Sequence, residues 1–364
     1  MPEQHEEGQR AAGGISTAPV APTVSTEPAP TRDWVREQAE RNARYAPILP
    51  ERVRWRAVVI FVVVAMGLAW VACLPLWLSG EGLGHPLFQI FALLMMYTPT
   101  IAAAVVIFGV DRPASIPRRL GLGPLRPFGR TIGMSAATLF AFAVLPFAAV
   151  FLGAALGMIQ LDLEHLSAAQ AQLQQIEAQA GPGGTAGMTP QMLLLVSIAA
   201  VPINALVSSA AAFGEELGWR GWLVPNLLPL GRWPALLISG VIWALWHAPI
   251  ILLGYNFGYS DARGLALMIG FCVPLGVLLG WLRLRTASVW PAVVGHGAVN
   301  AATGTTLLLL HVDAAQDVQQ ASLGTFLGMP GWILMAAVVL LIVALGQFRK
   351  QAEPGVSWKP GHEA

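Results

Sequence analysis

The sequence predicts an all-α fold: a polytopic membrane bundle of about eight transmembrane helices with both termini in the cytoplasm. Composition is the first reason. Of the 364 residues, 55% are hydrophobic and only 11% are charged, whereas a typical soluble domain carries about 25% charged residues. The second reason is that the apolar residues fall into long runs, each close to the ~20 residues that a helix needs to span a bilayer. The third is the distribution of basic residues between the runs.

Eight apolar runs each predict one transmembrane helix. They are 57–78, 87–108, 131–159, a run within 191–223, 234–254, 264–282, 287–310 and 329–348. Together they define a transmembrane domain at 57–348. A helix usually stops before a proline, so Pro225 is expected to end the fourth run.

Both ends of the chain lie outside this domain. Residues 1–31 are rich in Pro, Ala, Thr, Glu and Gly, which predicts a disordered N-terminal tail. Residues 32–56 carry seven arginines and are interpreted as a basic juxtamembrane segment. Residues 349–364 form a cytoplasmic C-terminal tail.

The basic residues support this count and orientation. If the N-terminus is cytoplasmic and the runs alternate, 20 of the 21 Lys and Arg residues lie on the cytoplasmic side and only Arg263 lies opposite. Such an asymmetry follows the positive-inside rule. The longest opposite loop, 160–190, is acidic and Gln-rich, and it predicts a short surface helix followed by a Gly-rich stop. A plain connector is favoured over a lid.

Strongly polar groups are confined to three of the eight runs. The fourth carries Glu215, Glu216 and Arg220, the fifth carries His247, and the seventh carries His296 with Asn300. Ionisable residues within a membrane are costly, face the bundle interior or a water-filled cavity, and mark function. We therefore expect the three segments to meet around one cavity near mid-membrane. Helix rise places all three segments near the middle of the hydrocarbon layer, and the cavity is expected to open more easily toward the cytoplasm.

The spacing of these residues favours particular partners. Glu216 and Arg220 are four residues apart, so they can pair on one helix face. Glu215 is rotated about 100° from Glu216 on a regular helix, which leaves it free to point into the cavity. His296 and Asn300 are also four residues apart and can aim at one atom. Small residues such as Gly214 and Gly218 allow a neighbouring helix to approach closely.

These motifs resemble those of the intramembrane CAAX-protease and bacteriocin-processing (Abi) proteins. The chain reads Glu215-Glu216-Leu-Gly-Trp-Arg220, Trp243-Ala-Leu-Trp-His247 and His296-Gly-Ala-Val-Asn300, and the resemblance covers about 200–310, the centre of a catalytic core at about 191–310. It implies a membrane endopeptidase in which a glutamate activates water for hydrolysis of a peptide bond.

The resemblance also implies roles for single residues. Glu215 would activate the water, which His247 would help to hold. His296 and Asn300 would donate hydrogen bonds to the oxyanion of the tetrahedral intermediate. The pair of Glu216 and Arg220 would brace the helix.

The involvement of a metal stays open. Glu215, His247 and His296 are a credible zinc ligand set, but the helical His-Glu-x-x-His signature is absent. A metal-free mechanism without a cofactor is favoured, with zinc as the alternative.

Other functions are also open. Buried Glu and His can build the proton relay of a proton-coupled transporter, and a non-catalytic immunity or scaffold protein could share the fold. The expected partners are the lipid bilayer and a peptide or protein substrate, which could be lipid-modified. The net charge of +1 gives no indication of nucleic-acid binding, and the expected location is a bacterial cytoplasmic membrane.

Overall fold

The computed structural model of the chain describes residues 47–123, 128–181, 183–185 and 187–349. In these residues nine helices have 14 or more residues, and no strand forms beyond a single bridge between Leu161 and Leu310. The helices are α1 (Trp55–Leu78), α2 (Phe88–Gly109), α3 (Phe128–Ala155), α4 (Ser167–Ala180), α5 (Pro190–Glu216), α6 (Arg232–Trp246), α7 (Ala262–Thr286), α8 (Trp290–Thr306) and α9 (Met329–Ala344). The predictions for 1–31, most of 32–56 and nearly all of 349–364 lie outside the described residues.

Each of the eight apolar runs contains one of these helices, and α4 is the short helix predicted for the 160–190 loop. The all-helical membrane fold is therefore confirmed, and the chain is an integral multi-pass membrane protein. By length and composition, five helical stretches can cross a membrane: α1, α2, α3, the continuous stretch Pro190–Leu230 and α7. Helices α6 and α9 are apolar but shorter. The count of eight spans and the location of the termini stay predictions.

The sequence predicted that Pro225 ends the fourth run, but the helical stretch that begins with α5 continues past this residue. After Glu216 the chain continues as a seven-residue π-helix, Leu217–Leu223, then as a short α-helix, Val224–Leu227, and a final 3₁₀ turn. Pro225 is tolerated because it lies in the first turn of the short α-helix, where the backbone N–H has no intrahelical partner. π-helical turns are rare and are found mostly at functional sites.

Small residues let α2 approach this helix closely. A Cβ at Gly214 would lie 2.8 Å from the carbonyl oxygen of Met96, and a Cβ at Gly218 would lie 2.4 Å from Cβ of Pro99. The hydroxyl of Thr100 donates to the carbonyl of Gly214 at 2.6 Å. The expectation that these glycines serve close helix packing is confirmed.

The connections on one face of the bundle are tied together by backbone hydrogen bonds. The N–H of Asp162 donates to the carbonyl of Leu309 at 3.0 Å, and the N–H of His311 donates to the carbonyl of Gln160 at 2.8 Å. The hydroxyl of Ser167, at the start of α4, accepts from the N–H of Val312 at 3.1 Å. The loop between α3 and α4 is thus joined to the connection that follows α8.

Candidate active site

One cavity of about 530 Å³ collects the polar residues of the three predicted segments. Glu215, His247, His296 and Asn300 all line it, whereas Glu216 and Arg220 lie behind its wall. The prediction that these segments share one cavity is therefore confirmed. Glu215 is only 3% exposed and His296 only 5%, because α5, α6 and α8 surround them with apolar side chains.

Glu215 is held by a tryptophan from α6. The indole Nε1–H of Trp243 donates to Oε2 of Glu215 at 2.6 Å. The same indole ring packs over the guanidinium of Arg220, with 4.2 Å between the guanidinium carbon and the ring centroid. Oε1 of Glu215 has no hydrogen-bond partner within the described residues. One carboxylate oxygen is thus fixed and the other is available for a molecule in the cavity.

Glu216 joins two helices through one oxygen. Its Oε1 lies 2.7 Å from Nη1 of Arg220 and 2.9 Å from Nδ1 of His296. The predicted pair of Glu216 and Arg220 is therefore present, although Arg220 belongs to the π-helix rather than to a regular α-helix. Oε2 of Glu216 is buried without a hydrogen-bond partner in the described structure. The guanidinium and the carboxylate are both almost completely buried, so their charges can compensate each other.

His247 has a defined tautomer when it is neutral. Its Nδ1 lies 2.9 Å from the carbonyl oxygen of Trp243, and a carbonyl can only accept, so Nδ1 carries the proton. Nε2 of the neutral ring then has a free lone pair. The ring packs edge-on against Trp246, with 4.7 Å between the ring centroids, which restricts its rotation.

The cavity extends along α8 toward the C-terminal end of that helix. From His296 it follows α8 through Asn300 and Thr303 to Leu307, and its far end is lined by Val318 and other residues that precede α9. Asn256, from the connection between α6 and α7, also lines it. By the basic-residue rule these connections lie opposite the cytoplasm, whereas the sequence favoured an opening toward the cytoplasm. The membrane orientation stays a prediction, and so does the face on which the cavity opens.

The comparisons with known proteins fall on this part of the chain. Residues 193–302 match the family model described as type II CAAX prenyl endopeptidase Rce1-like. The match contains all three motifs. This segment is therefore similar to CAAX prenyl endopeptidases. The resemblance carried by the motifs is thereby confirmed.

Two curated proteins are similar to parts of the chain. A CAAX prenyl protease 2 of Methanococcus maripaludis is 32% identical over 107 residues, which are 28% of this chain and 39% of that protein. An L-alanine exporter of Cereibacter sphaeroides is 28% identical over 106 residues, which are 27% of this chain and 75% of the exporter. The matched region thus spans well under half the length of the protease.

The conditional zinc ligand set is not assembled in the structure. Within the described residues, no three His, Cys, Asp or Glu side chains converge closely enough to hold a metal ion. As placed, Glu215, His247 and His296 do not converge on one metal position. The choice between a metal-free mechanism and a zinc enzyme stays a prediction.

Sequence reasoning underestimated one member of this site. Trp243 entered the sequence analysis only as the aromatic residue of the second motif, yet it contacts Glu215, Arg220 and both histidine rings. Its position one turn before His247 was the available signal. The sequence could not show that its indole N–H meets a carboxylate on another helix, because that contact depends on the packing of α6 against α5.

Proposed function

We propose that the chain is an intramembrane endopeptidase that hydrolyses a peptide bond with water activated by Glu215. The observation that supports this most directly is the carboxylate itself, which is fixed at Oε2 by Trp243, has no hydrogen-bond partner at Oε1 within the described residues, and lines a cavity shared with two histidines and an asparagine. Amide hydrolysis requires a base, a water molecule and donors where negative charge develops.

In the proposed reaction, Glu215 accepts one proton from a water molecule while the water oxygen attacks the carbonyl carbon of the peptide. The free Nε2 lone pair of His247 accepts a hydrogen bond from the second O–H of the water and orients the attack, and that hydrogen stays on the water oxygen. The tetrahedral oxyanion collapses, the C–N bond breaks, and Glu215 returns its proton to the leaving nitrogen. The products are a carboxyl and an amino terminus, and the enzyme is regenerated.

His296 and Asn300 would stabilise the oxyanion. Asn300 lies one turn beyond His296 on α8 and lines the same cavity, so its amide can donate. Nδ1 of His296 donates a hydrogen bond to the carboxylate of Glu216, so in the neutral ring Nδ1 holds the single proton. Nε2 can therefore donate to the oxyanion only when both ring nitrogens are protonated. The carboxylate of Glu216 supports that form, and Arg220 in turn supports the carboxylate.

The proposal is tested with purified full-length protein in lipid nanodiscs and a prenylated peptide ending in a CAAX sequence as the probe. Glu215→Gln keeps the shape of the side chain but removes the base, so cleavage is expected to fall about 100- to 10,000-fold. Glu177→Gln, an exposed carboxylate on α4, is the matched control. A Glu215→Gln protein that melts normally and cleaves at the wild-type rate would refute the assignment.

The proposed mechanism is metal-free, in keeping with the ligand geometry. Activity is expected to survive exhaustive chelation followed by assay in metal-depleted buffer. Loss of activity that zinc restores would overturn this part of the proposal and leave the protease assignment intact.

A proton-coupled exporter is the second candidate, and the similarity to the L-alanine exporter favours it. Buried carboxylates and histidines also serve as proton relays. The two functions are separated in sealed proteoliposomes. An exporter would move alanine with an accompanying pH change that Glu215→Gln abolishes, whereas the protease cleaves its probe in detergent, where no gradient exists.

A further inference from the structure

The proline that follows the π-helix leaves one carbonyl of that helix without a backbone donor. In a π-helix each carbonyl accepts from the N–H of the residue five positions later. For the carbonyl of Arg220 that residue is Pro225, which has no N–H. The N–H of Val224, four positions after Arg220, donates to the carbonyl of Trp219 instead. Because an unpaired buried carbonyl is costly, the carbonyl of Arg220 needs a donor from another part of the chain.

Arg283, in the last turn of α7, supplies this donor. Its Nε–H donates to the carbonyl of Arg220 at 3.1 Å, and its Nη2 donates to the carbonyl of Arg119 at 3.4 Å. The residue is only 2% exposed, so bulk water does not compete for these bonds. Hydrogen bonds from a charged donor are also about twice as strong as neutral ones. The guanidinium thus takes the place of the missing backbone N–H.

A glycine keeps the space beside this guanidinium open. Gly121 directly follows the short helix Ile116–Leu120 and has a left-handed φ of +73°. A Cβ at this position would lie 2.7 Å from Cζ of Arg283. The carbonyl of Gly121 accepts at 3.0 Å from the N–H of Val289, just before α8, so the turn is fixed to the helix that carries the second histidine. A side chain at position 121 would therefore displace the guanidinium from the π-helix.

The turn that is held in this way carries the side chains behind the cavity wall. Nη1 of Arg220 lies 2.7 Å from Oε1 of Glu216, and the same oxygen lies 2.9 Å from Nδ1 of His296. The guanidinium of Arg220 also packs against the indole of Trp243, which donates to Glu215. A rotation of this turn would move the groups that orient both the base and the histidine of α8.

We propose that Arg283 is a positioning residue for the hydrolysis. By donating to the carbonyl of Arg220 where Pro225 cannot, it fixes the π-helical turn and with it the contacts of Arg220 to Glu216 and Trp243. Arg283 is not among the described residues that line the cavity, so it acts through Arg220. The effect on the rate rests on the proposed endopeptidase function, whereas the effect on the geometry of the site can be measured without a substrate.

The effect on the reaction is tested by comparing Arg283→Met with Arg232→Met in nanodiscs. Met keeps an unbranched side chain but has no donor. Arg232 also donates to a backbone carbonyl, that of Phe348, but it lies at the start of α6. The kcat for the prenylated CAAX probe is expected to fall about 10- to 100-fold in Arg283→Met, with a much smaller change in KM, because misplaced reacting groups slow the chemical step. Equal kcat values of the two variants would refute an effect of Arg283 on the reaction.

Rescue by Pro225→Ala tests the specific hydrogen bond. This substitution places an N–H five residues after Arg220, so the backbone itself can close the turn. We expect it to raise the kcat of Arg283→Met about 2- to 10-fold, the contribution of one neutral hydrogen bond. On its own it is expected to change kcat little, since Arg283 already satisfies the carbonyl. A loss that Pro225→Ala does not reduce would overturn the assigned role of this bond.

A second pair of variants leaves Arg283 itself unchanged. Gly121→Ala crowds the guanidinium, and its control is Gly157→Ala. Both glycines have a left-handed φ, +73° and +70°, so both substitutions strain the backbone, but a Cβ at Gly157 meets no atom within 4 Å. The kcat of the folded protein is expected to fall in Gly121→Ala and to stay near the wild-type value in Gly157→Ala. Equal kcat values would contradict a role for the position of the guanidinium.

The geometry of the site is tested without substrate by NMR of protein with ¹⁵N-labelled tryptophan. The indole signal of Trp243, identified by its absence in Trp243→Phe, reports the hydrogen bond to Glu215. Arg283→Met is expected to shift this signal and added Pro225→Ala to shift it back, whereas the indole signal of Trp332 on α9 stays in place. An unshifted Trp243 signal would refute the positioning role. A shifted signal with unchanged cleavage would place the failure in the proposed catalytic role of the site.

Discussion

Replacing Trp243 by Phe tests whether the orientation of Glu215 depends on the indole. The substitution keeps an aromatic ring beside Arg220 but removes the Nε1–H that lies 2.6 Å from Oε2 of Glu215. A hydrogen bond to a charged group contributes about 1.5–3 kcal/mol. If that contribution acts in the transition state, kcat/KM falls about 10- to 150-fold, since each 1.36 kcal/mol is a factor of ten.

The matched control is Trp332→Phe. Trp332 lies on α9 and loses the same ring volume, but its Nε1–H donates at 2.7 Å to the carbonyl of Leu327, and its side chain is not among the described residues that line the cavity. Loss of such a neutral bond costs about 0.5–1.5 kcal/mol of stability. We therefore expect the control protein to melt at a modestly lowered temperature.

The assay is cleavage of the prenylated CAAX probe in nanodiscs, with thermal melting of the same samples. We predict that activity falls sharply in Trp243→Phe and less than about threefold in Trp332→Phe, since the lost bond of the control does not reach Glu215 or the cavity. Equal activities of the two variants, at equal stability, would refute a specific role for the bond between Trp243 and Glu215.

Three further predictions follow from the packing and charges. Arg220→Met leaves Glu216 as a buried charge without its cation and is expected to lower the free energy of unfolding by about 3–5 kcal/mol. Adding Glu216→Gln removes the unpaired charge and is expected to recover part of that loss. Thermal melting of the two single variants and the double variant tests this, and additive losses of stability would contradict it. Gly218→Ala places a Cβ 2.4 Å from Cβ of Pro99 and is expected to lower the free energy of unfolding by about 1–3 kcal/mol. The control is Gly133→Ala, whose Cβ meets no atom within 4 Å and is expected to be tolerated. Equal melting temperatures of the two variants would contradict this. The hydroxyl of Ser167 and the N–H groups of His165 and Ser167 hold the pKa of Asp162 well below its usual range. At pH values above the ordinary Asp pKa of about 3.9, ionised Asp162 therefore stabilises the start of α4, and this stabilisation is lost as the pH falls through the lowered pKa. The hydrogen-exchange rates of α4 in wild type and Asp162→Asn should differ most at neutral pH and converge in acid. A difference that stays constant with pH would contradict this.

The helical fold could be predicted because each helix is encoded locally. The apolar runs, their lengths and the arginines between them depend on composition, and each long helix beyond α4 falls on a run that the sequence shows. The convergence of Glu215, His247 and His296 was also predictable, because three costly polar segments in one apolar bundle have little reason to exist separately.

The features that the sequence did not show depend on tertiary contacts. The π-helix after Glu216 replaces a regular helix where Trp219 and Trp222 pack on Phe61, and no local pattern marks that turn. The extent of the cavity was not visible in the sequence either, because depth was counted along single helices, whereas part of the lining comes from the connection after α8.

The π-helix has a consequence for how the first motif is interpreted. Its backbone hydrogen bonds join residues five apart rather than four. The angle around the helix axis between Glu216 and Arg220 is therefore set by a wider turn than that of a regular α-helix. Upstream residues take their orientation from α2 and α8, and downstream residues from Phe61 and the Asn226 contacts. The π-helix Leu217–Leu223 thus connects two helical segments whose side-chain orientations are set by different neighbours. Deleting one of the residues 217–219 would keep both charged residues but would rotate Arg220 away from the carboxylate of Glu216, so the number of residues in this turn is itself a specified property of the site.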